Sequence, residues 1–375
     1  MNPLRKIKRL RKALKVDDRK PVLQIIYEYL AYKFTRPELA AQYFNKYLFR
    51  NEVDDPADYI VTPDLEEKVW YYNDMKYKSI LTEKHITEFF FSEFNLPVVR
   101  SFAYNDNHLF FTGNDLKLIN NSDEFKNFML HMKKKGEWKG EHMIVKMNKS
   151  SYGGMNIYRV SLNEIKRNRS KLDDLYNQVI NSGYLFQDVV DQHPELNKIT
   201  PNSLNTVRID TFTDNEGRTK IFNTTIRFGR GKSFLDNVSH GGMFAGIDIE
   251  TGLMKGEAFS NFEKGNGQVL SAHPLTGQAF RDFKIPFFNE AKQLALKAAR
   301  LIPEARVVGW DICITPDGPV LLEGNYFNGL YRLEIGQHGF KNNSAFQQLL
   351  KELDVYYNDE GNSLEELKKL YPLYV

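Results

Sequence analysis

The stretch GWDICITPDGPVLLEGN, residues 309–325, constrains this chain more than any other. It reads as two short strands around a Pro-Asp-Gly turn, and it carries Asp311, Glu323 and Asn325 among residues of core type. Side chains alternate faces along a strand. Ile312 and Ile314 therefore share one face, joined by Val320 and Leu322 of the second strand, while Asp311, Cys313, Leu321, Glu323 and Asn325 fall on the other. With Pro316-Asp317-Gly318 as a three-residue loop and glycine in the left-handed position, Thr315 pairs with Pro319. Asp311 then lies opposite Glu323.

Like charges directly opposite one another destabilise a sheet. At roughly 5 Å and an effective dielectric of about 20, the repulsion is on the order of 3 kcal/mol. A divalent cation converts that cost into binding energy. Two carboxylates and an amide oxygen suit Mg²⁺, which keeps some waters and shares its shell with phosphates. The alternative is a solvated hairpin edge whose acids pair with Lys or Arg elsewhere.

A chain of 375 residues is long enough to bury a substantial core. Its 42% hydrophobic and 26% charged residues are ordinary for a globular protein. The lone Cys313 excludes an intramolecular disulfide framework and a cysteine-based zinc cluster, which favours a reducing compartment. No apolar run approaches the roughly 20 residues of a membrane span, so a cytoplasmic protein is the expectation.

The net charge of +3 is local in origin. MNPLRKIKRLRKALK holds seven basic residues and no acid, and without them the 51 basic residues of the chain fall short of its 48 acidic ones. There is no general nucleic-acid footprint. Leu4, Ile7, Leu10 and Leu14 recur at helical spacing among the bases. Such a helix suits peripheral contact of residues 3–15 with an anionic membrane, at its inner face, or docking on the protein body.

Residues 1–78 read as a helical, aromatic-rich module and 346–375 as a C-terminal helical tail. Between them helices alternate with strands that also come in hairpins, which argues for α+β lobes. In MIVKMNKSSYGGMNIYRV, Lys146 ends an apolar strand just before a loop with Ser150, Ser151, Gly153 and Gly154. Bare amides in such a turn cradle phosphate oxygens and an ammonium supplies countercharge, although a Gly-Gly hairpin turn explains the pattern equally well. It is not a Walker A loop, because the lysine precedes the glycines. Arg208 and Arg227 sit among core residues of a central hairpin, where each needs an anion, either a substrate or a protein acid such as Asp210. GRGKSFLDNVSHGGMFAG, with Asn237, Ser239 and His240, reads as a loop near the site.

Together these features resemble the ATP-grasp superfamily, and in particular its sugar-transfer associated branch. LNTVRIDTF, DNVSHGGMFAGIDIETG, HPLTGQAF and VVGWDICITPDGPVLLEGN carry the branch resemblance. It implies an ATP-grasp fold over residues 79–345, with two α+β lobes gripping ATP. It also implies that Lys146 and Lys84 contact phosphates and that the loop from Ser150 to Gly154 closes over them. In YLFQDVV the backbone at Gln187, Val189 and Val190 would grip adenine, with Asp191 near the ribose. Arg227 would lie near the γ-phosphate, Arg208 would hold a substrate carboxylate, and Asp311, Glu323 and Asn325 would ligate Mg²⁺. Met147 stands where a proline usually follows the lysine, and Glu83 where an aspartate usually precedes Lys84.

The implied activity is an ATP-dependent carboxylate–amine ligase acting through an acyl phosphate, with ATP and Mg²⁺ as cofactors. Its substrates would be small or glycan-linked, such as an amino acid and a uronic acid or amino sugar in surface polysaccharide synthesis. The alternatives are a phosphotransferase acting on a hydroxyl and a non-catalytic nucleotide-binding protein.

Overall fold

The computed structural model describes residues 3–113, 115–149, 156–231, 234, 236, 238, 241–264, 267–359 and 361–372. Its helices are α1 (Pro3–Ala13), α2 (Val22–Thr35), α3 (Pro37–Gln42), α4 (Pro63–Tyr72), α5 (Lys78–Thr82), α6 (Lys84–Glu93), α7 (Ser122–Lys135), α8 (Leu162–Arg167), α9 (Arg169–Val179), α10 (Pro194–Asn197), α11 (Phe288–Arg300), α12 (Leu330–Gln337), α13 (Ser344–Asp354) and α14 (Leu364–Leu370). Its strands are β1 (Ser101–Asp106), β2 (Leu109–Thr112), β3 (Asp115–Leu118), β4 (His142–Met147), β5 (Ile157–Ser161), β6 (Tyr184–Asp188), β7 (Thr206–Thr213), β8 (Thr219–Phe228), β9 (Met243–Ile247), β10 (Met254–Ser260), β11 (Val269–Leu270), β12 (Val307–Thr315) and β13 (Gly318–Asn325). None of the described helices is long and apolar enough to cross a membrane.

The strands make two sheets with antiparallel ladders, one in the order β3-β2-β1-β6-β4-β5 and the other β11-β10-β9-β8-β7-β12-β13. This is the α+β architecture expected of the sequence. In the smaller sheet, α7 shows why one face is covered. Asn121 caps it by accepting a hydrogen bond from the Glu124 amide, and Gly136 ends it at φ 78°. Phe125, Phe128, Met129 and Met132 recur at helical spacing and bury against Phe110, Val145 and Phe186. Each such side chain contributes about 1.5–3 kcal/mol; Phe128→Ala would cost about 3–5 kcal/mol. The opposite face of this sheet stays open.

In the larger sheet β7 is buried along its whole length, between β8 and β12. Helix α11 lays Ala291, Leu294, Ala295 and Ala298 on the core formed with Val207, Ile209, Trp310 and Ile312. Helix α12 packs directly on β9: a Cβ at Gly246 would lie 1.8 Å from the carbonyl oxygen of Gly336, so only glycine permits this approach. The basic α1 docks on the body, with Arg9 Nε donating to Glu263 Oε1 at 2.5 Å and Lys12 Nζ to the Phe262 carbonyl at 3.0 Å. Lys8, Arg11 and Lys15 remain exposed.

Candidate active site

The acid-bearing hairpin forms as β12 and β13, but with a different turn from the one expected. Thr315 pairs with Gly318, so the turn holds two residues, Pro316 and Asp317. Ile312 then pairs with Leu321, and the register shifts by one so that Asp311 faces Glu323. Leu322 is the extra residue of a bulge. The shorter turn and the bulge cancel, which is why the acids still meet. The bulge also reverses the faces assigned by simple alternation: Leu321 joins Ile312 and Ile314 in the core, and Leu322 lines a cavity beside Glu323.

That cavity has a volume of about 460 Å³ and lies between the smaller sheet and strands β8, β7, β12 and β13 of the larger one. Its size is that of a small-molecule site. Ile144, Lys146, Ile157, Arg159 and Gln187 supply one wall, and Arg227, Asp311, Glu323 and Asn325 the other. Lys84 closes one end, while Val189, Val190 and Asp191 follow β6 along its rim. Ser150, Ser151, Gly153 and Gly154 lie outside the described residues, as do Asn237, Ser239 and His240.

Local structure explains why the two lysines converge. Asn148 lies just beyond β4, two residues after Lys146. Its carbonyl accepts from the Lys84 amide at 3.2 Å and its side-chain oxygen accepts from the His85 amide at 3.0 Å. The free amides that begin α6 are thus satisfied by the strand carrying Lys146. Lys84 Nζ lies 3.9 Å from Glu323 Oε2. Lys146 is buried, and its Nζ has no hydrogen-bond or ion-pair partner among the described residues. Burial pulls its ammonium down to about 8, with Lys84 pushing the same way and Glu323 and Glu88 opposing.

Asp311 is already balanced. Arg208 Nε donates to Asp311 Oδ1 at 2.5 Å, and Arg227 Nη2 donates to Oδ2. Burial pushes the Asp311 carboxyl up, but these two guanidiniums outweigh it and hold it well below the usual carboxylate range. The repulsion between Asp311 and Glu323 is therefore offset by arginines brought from β7 and β8. Asn325 joins the same face, its Nδ2 donating to Asp311 Oδ2 at 3.3 Å.

The two arginines differ in place. Arg227 lines the cavity, and its Nε has no partner among the described residues. Arg208 is buried behind Asp311, with Asp210 Oδ1 3.8 Å from its Nη1, and does not reach the cavity wall. A Cβ at position 309 would come within 2.6 Å of both Arg208 Nη1 and Asp210 Oδ1, so glycine makes room for this pair. Burial pushes Asp210 up to about 6 against the pull of Arg208.

At the other end Gln187 Nε2 donates to the Val99 carbonyl at 3.2 Å and to Ser101 Oγ at 3.0 Å. Its side chain is spent on holding β6 to β1, which leaves the chain after β6 as the part available to a ligand. Asp191 is exposed at the rim. Sequence reasoning missed Arg159, Thr206, Asp236 and Leu322 among the lining residues. Arg159 was within reach, since it alternates with Ile157 on one face of β5. Thr206 and Asp236 arrive through long-range pairing and a loop, for which local pattern gives no signal.

A family model described as sugar-transfer associated ATP-grasp matches residues 66–348. Similar solved structures include D-alanyl-alanine synthetase A from Vibrio cholerae, 12% identical over 73% of this chain and 65% of that one, with a TM-score of 0.41. D-alanine–D-alanine ligase from Bacillus anthracis is 11% identical over 77% of this chain and 72% of that one, at a TM-score of 0.40. The ADP complex of purK, N5-carboxyaminoimidazole ribonucleotide synthetase, is 10% identical over 69% of this chain and 51% of that one, at 0.39. The chain spans about half of the last and just under two thirds of the first. The sequence matches no curated protein.

Proposed function

Because the chain belongs to the sugar-transfer associated ATP-grasp family, and so to the ATP-grasp superfamily, we propose that it is an ATP-dependent ligase joining a carboxylate to an amine. The observation that carries this reading is the cavity itself, with Asp311, Glu323 and Asn325 on one wall facing Lys84 and Lys146. Oppositely charged groups across a cavity of this size suit a polyanion accompanied by a cation.

Adenine lies at the end walled by Ile144, Ile157 and Val189, and the backbone after β6 reads its edge. The phosphates extend towards Lys84 and Lys146, whose ammonium groups line the cavity and supply countercharge. Two carboxylates and an amide oxygen on one face are the donor set of a hard divalent cation, so Asp311, Glu323 and Asn325 fit Mg²⁺. Bound there, Mg²⁺ would supply neutralisation of the phosphoryl oxygens.

Arg227 is the movable partner. It holds Asp311 and would turn to the γ-phosphate of a bound nucleotide. Arg208 stays behind Asp311 and fixes its orientation, a positioning role in place of the substrate contact that the resemblance implied. A substrate carboxylate oxygen attacks the γ-phosphorus, its bond to ADP breaks, and an acyl phosphate forms. The amine then displaces inorganic phosphate and loses a proton. The protein contributes mainly alignment and charge stabilisation. The family's association with sugar transfer supports a sugar-linked substrate, such as an amino acid joined to a uronic acid or amino sugar.

The test is incubation with Mg-ATP, hydroxylamine and a panel of amino acids, uronic acids and nucleotide-sugar acids, following ADP and hydroxamate together. Hydroxamate formed with one carboxylate is the expected result. ADP released with a hydroxyl substrate and no hydroxamate would instead establish a phosphotransferase.

A further inference from the structure

Helix α2 is apolar on the wrong side. Ile25 is fully buried and Tyr29 and Tyr32 pack on the aromatic cluster around Phe44, Phe49 and Phe262, as an amphipathic helix requires. Yet Leu23, Tyr27 and Phe34 are 82%, 72% and 80% exposed, and Ile26 and Leu30 are exposed beside them. These five recur at i, i+3, i+4, i+7 and i+11, which is one continuous stripe along the outer face. Single exposed apolar side chains are ordinary; a row of five on one helix marks an interaction surface.

The exposed charges carried by α1 and α2 themselves are of one sign. Glu28, the only acid of α2, turns inward and takes Lys20 Nζ at 3.0 Å and the Tyr43 hydroxyl at 2.7 Å. Lys33 is exposed and sits over the Phe34 ring, 5.6 Å from its centroid. Helix α1, whose Leu10 packs on the same aromatic cluster, has no acid and exposes Lys8 and Arg11 together with Ile7, and Lys15 is exposed just beyond its end. A helix of 14 residues is about 21 Å long, too short to span a bilayer and suited to lying in its interface.

We propose that the outer face of α2 inserts into the interfacial region of an anionic lipid membrane, with the exposed bases of α1 and Lys33 holding it to the headgroups. The charge pattern selects this occupant over a second copy of the chain. A two-fold dimer through the stripe would bring two acid-free basic helices towards each other. The surface is separate from the ATP cavity and stands whatever reaction that cavity performs.

The test is co-sedimentation of the full chain with vesicles of equal parts phosphatidylglycerol and phosphatidylcholine, and with vesicles of phosphatidylcholine alone. Binding to the anionic vesicles only is expected, weakening as salt is raised. The double variant Leu23→Glu/Phe34→Glu changes only exposed positions, and its melting curve and circular dichroism should match the parent. It should lose the bound fraction. Lys8→Gln/Arg11→Gln/Lys15→Gln should weaken binding by about a hundredfold, since each base near an anionic surface contributes roughly a factor of five. Undiminished binding by the double variant would overturn the proposal. So would a dimer in light scattering that the double variant dissolves while neither protein binds vesicles.

Discussion

Two buried ion pairs of this protein are built from the same kinds of residue and do opposite things. Lys46 and Glu334 join the segment after α3 to α12, and neither side chain is accessible to solvent. Glu334 also accepts from the Ile60 and Val61 amides, and Lys46 also donates to the Val61 carbonyl. Both carboxylate oxygens have partners, and neither side chain faces a cavity. Around Asp311 the balance is open. Among the described residues Arg227 Nε and Lys146 Nζ have no partner, the Arg227 side chain is 18% exposed and that of Glu323 28%. Burial alone does not distinguish a structural ion pair from a functional one. Residual bonding capacity facing a cavity does.

The comparison can be broken by mutation. Asp311→Ala should remove both functions of its residue. Turnover is lost, and Arg208 is left buried with only the more distant Asp210, 3.8 Å away, as counter-ion, at a cost of about 3 kcal/mol in urea unfolding. A variant of parental stability would show that Arg208 does not depend on Asp311. Glu323→Ala should separate the two effects. Turnover falls by a factor on the order of 10³ or more, while stability, set at a partly exposed position, moves by less than about 0.5 kcal/mol. Full activity in that variant would sink the assignment of this wall to the metal and phosphates. Glu334→Ala should do the reverse, with Lys46 stranded, stability down by about 3 kcal/mol, and KM for Mg-ATP unchanged at temperatures where the protein stays folded. A changed KM would mean that the sealed pair communicates with the cavity.

The site was more legible in the sequence than the way it is held. Strand alternation brought Asp311, Glu323 and Asn325 to one face, and the lysine before a glycine-rich loop marked Lys146, because both signals are local. The arginines behind Asp311 were visible as anomalies, but their partner was not. Asp311 meets Arg208 only because β7 pairs with β12, about a hundred residues away, and local periodicity says nothing of strand order. The bulge at Leu322 had no signal either, since one extra residue in a strand looks like any other residue. Had it not offset the two-residue turn, the predicted facing of the acids would have failed. The hairpin of β2 and β3 also went unread; its strands are four residues each, and Asn107 turns the chain before β2 at φ 51°.

The smallest expected effect tests the open side through pH. With its folded pKa near 8, Lys146 loses its proton above that value, whereas in the unfolded chain it keeps it up to about 10.5. If nucleotide binding needs the ammonium, the dissociation constant for Mg-ATP should rise about tenfold per pH unit above 8, and Lys146→Met should bind weakly at every pH without that slope. Stability must move the other way. Between pH 8 and 10.5 the unfolded chain binds more protons at this position than the folded one, so the contribution of Lys146 to stability increases with pH. Below pH 8 both states are charged, and the desolvation of the ammonium is borne in full by the folded protein. A polyphosphate in the cavity restores the charge, so saturating Mg-ATP should flatten the pH dependence of stability. The sealed pair offers no such response, because no ligand reaches it. If the Mg-ATP slope persists in Lys146→Met, another group in the cavity carries it, and the lysine without a partner is as structural as Lys46.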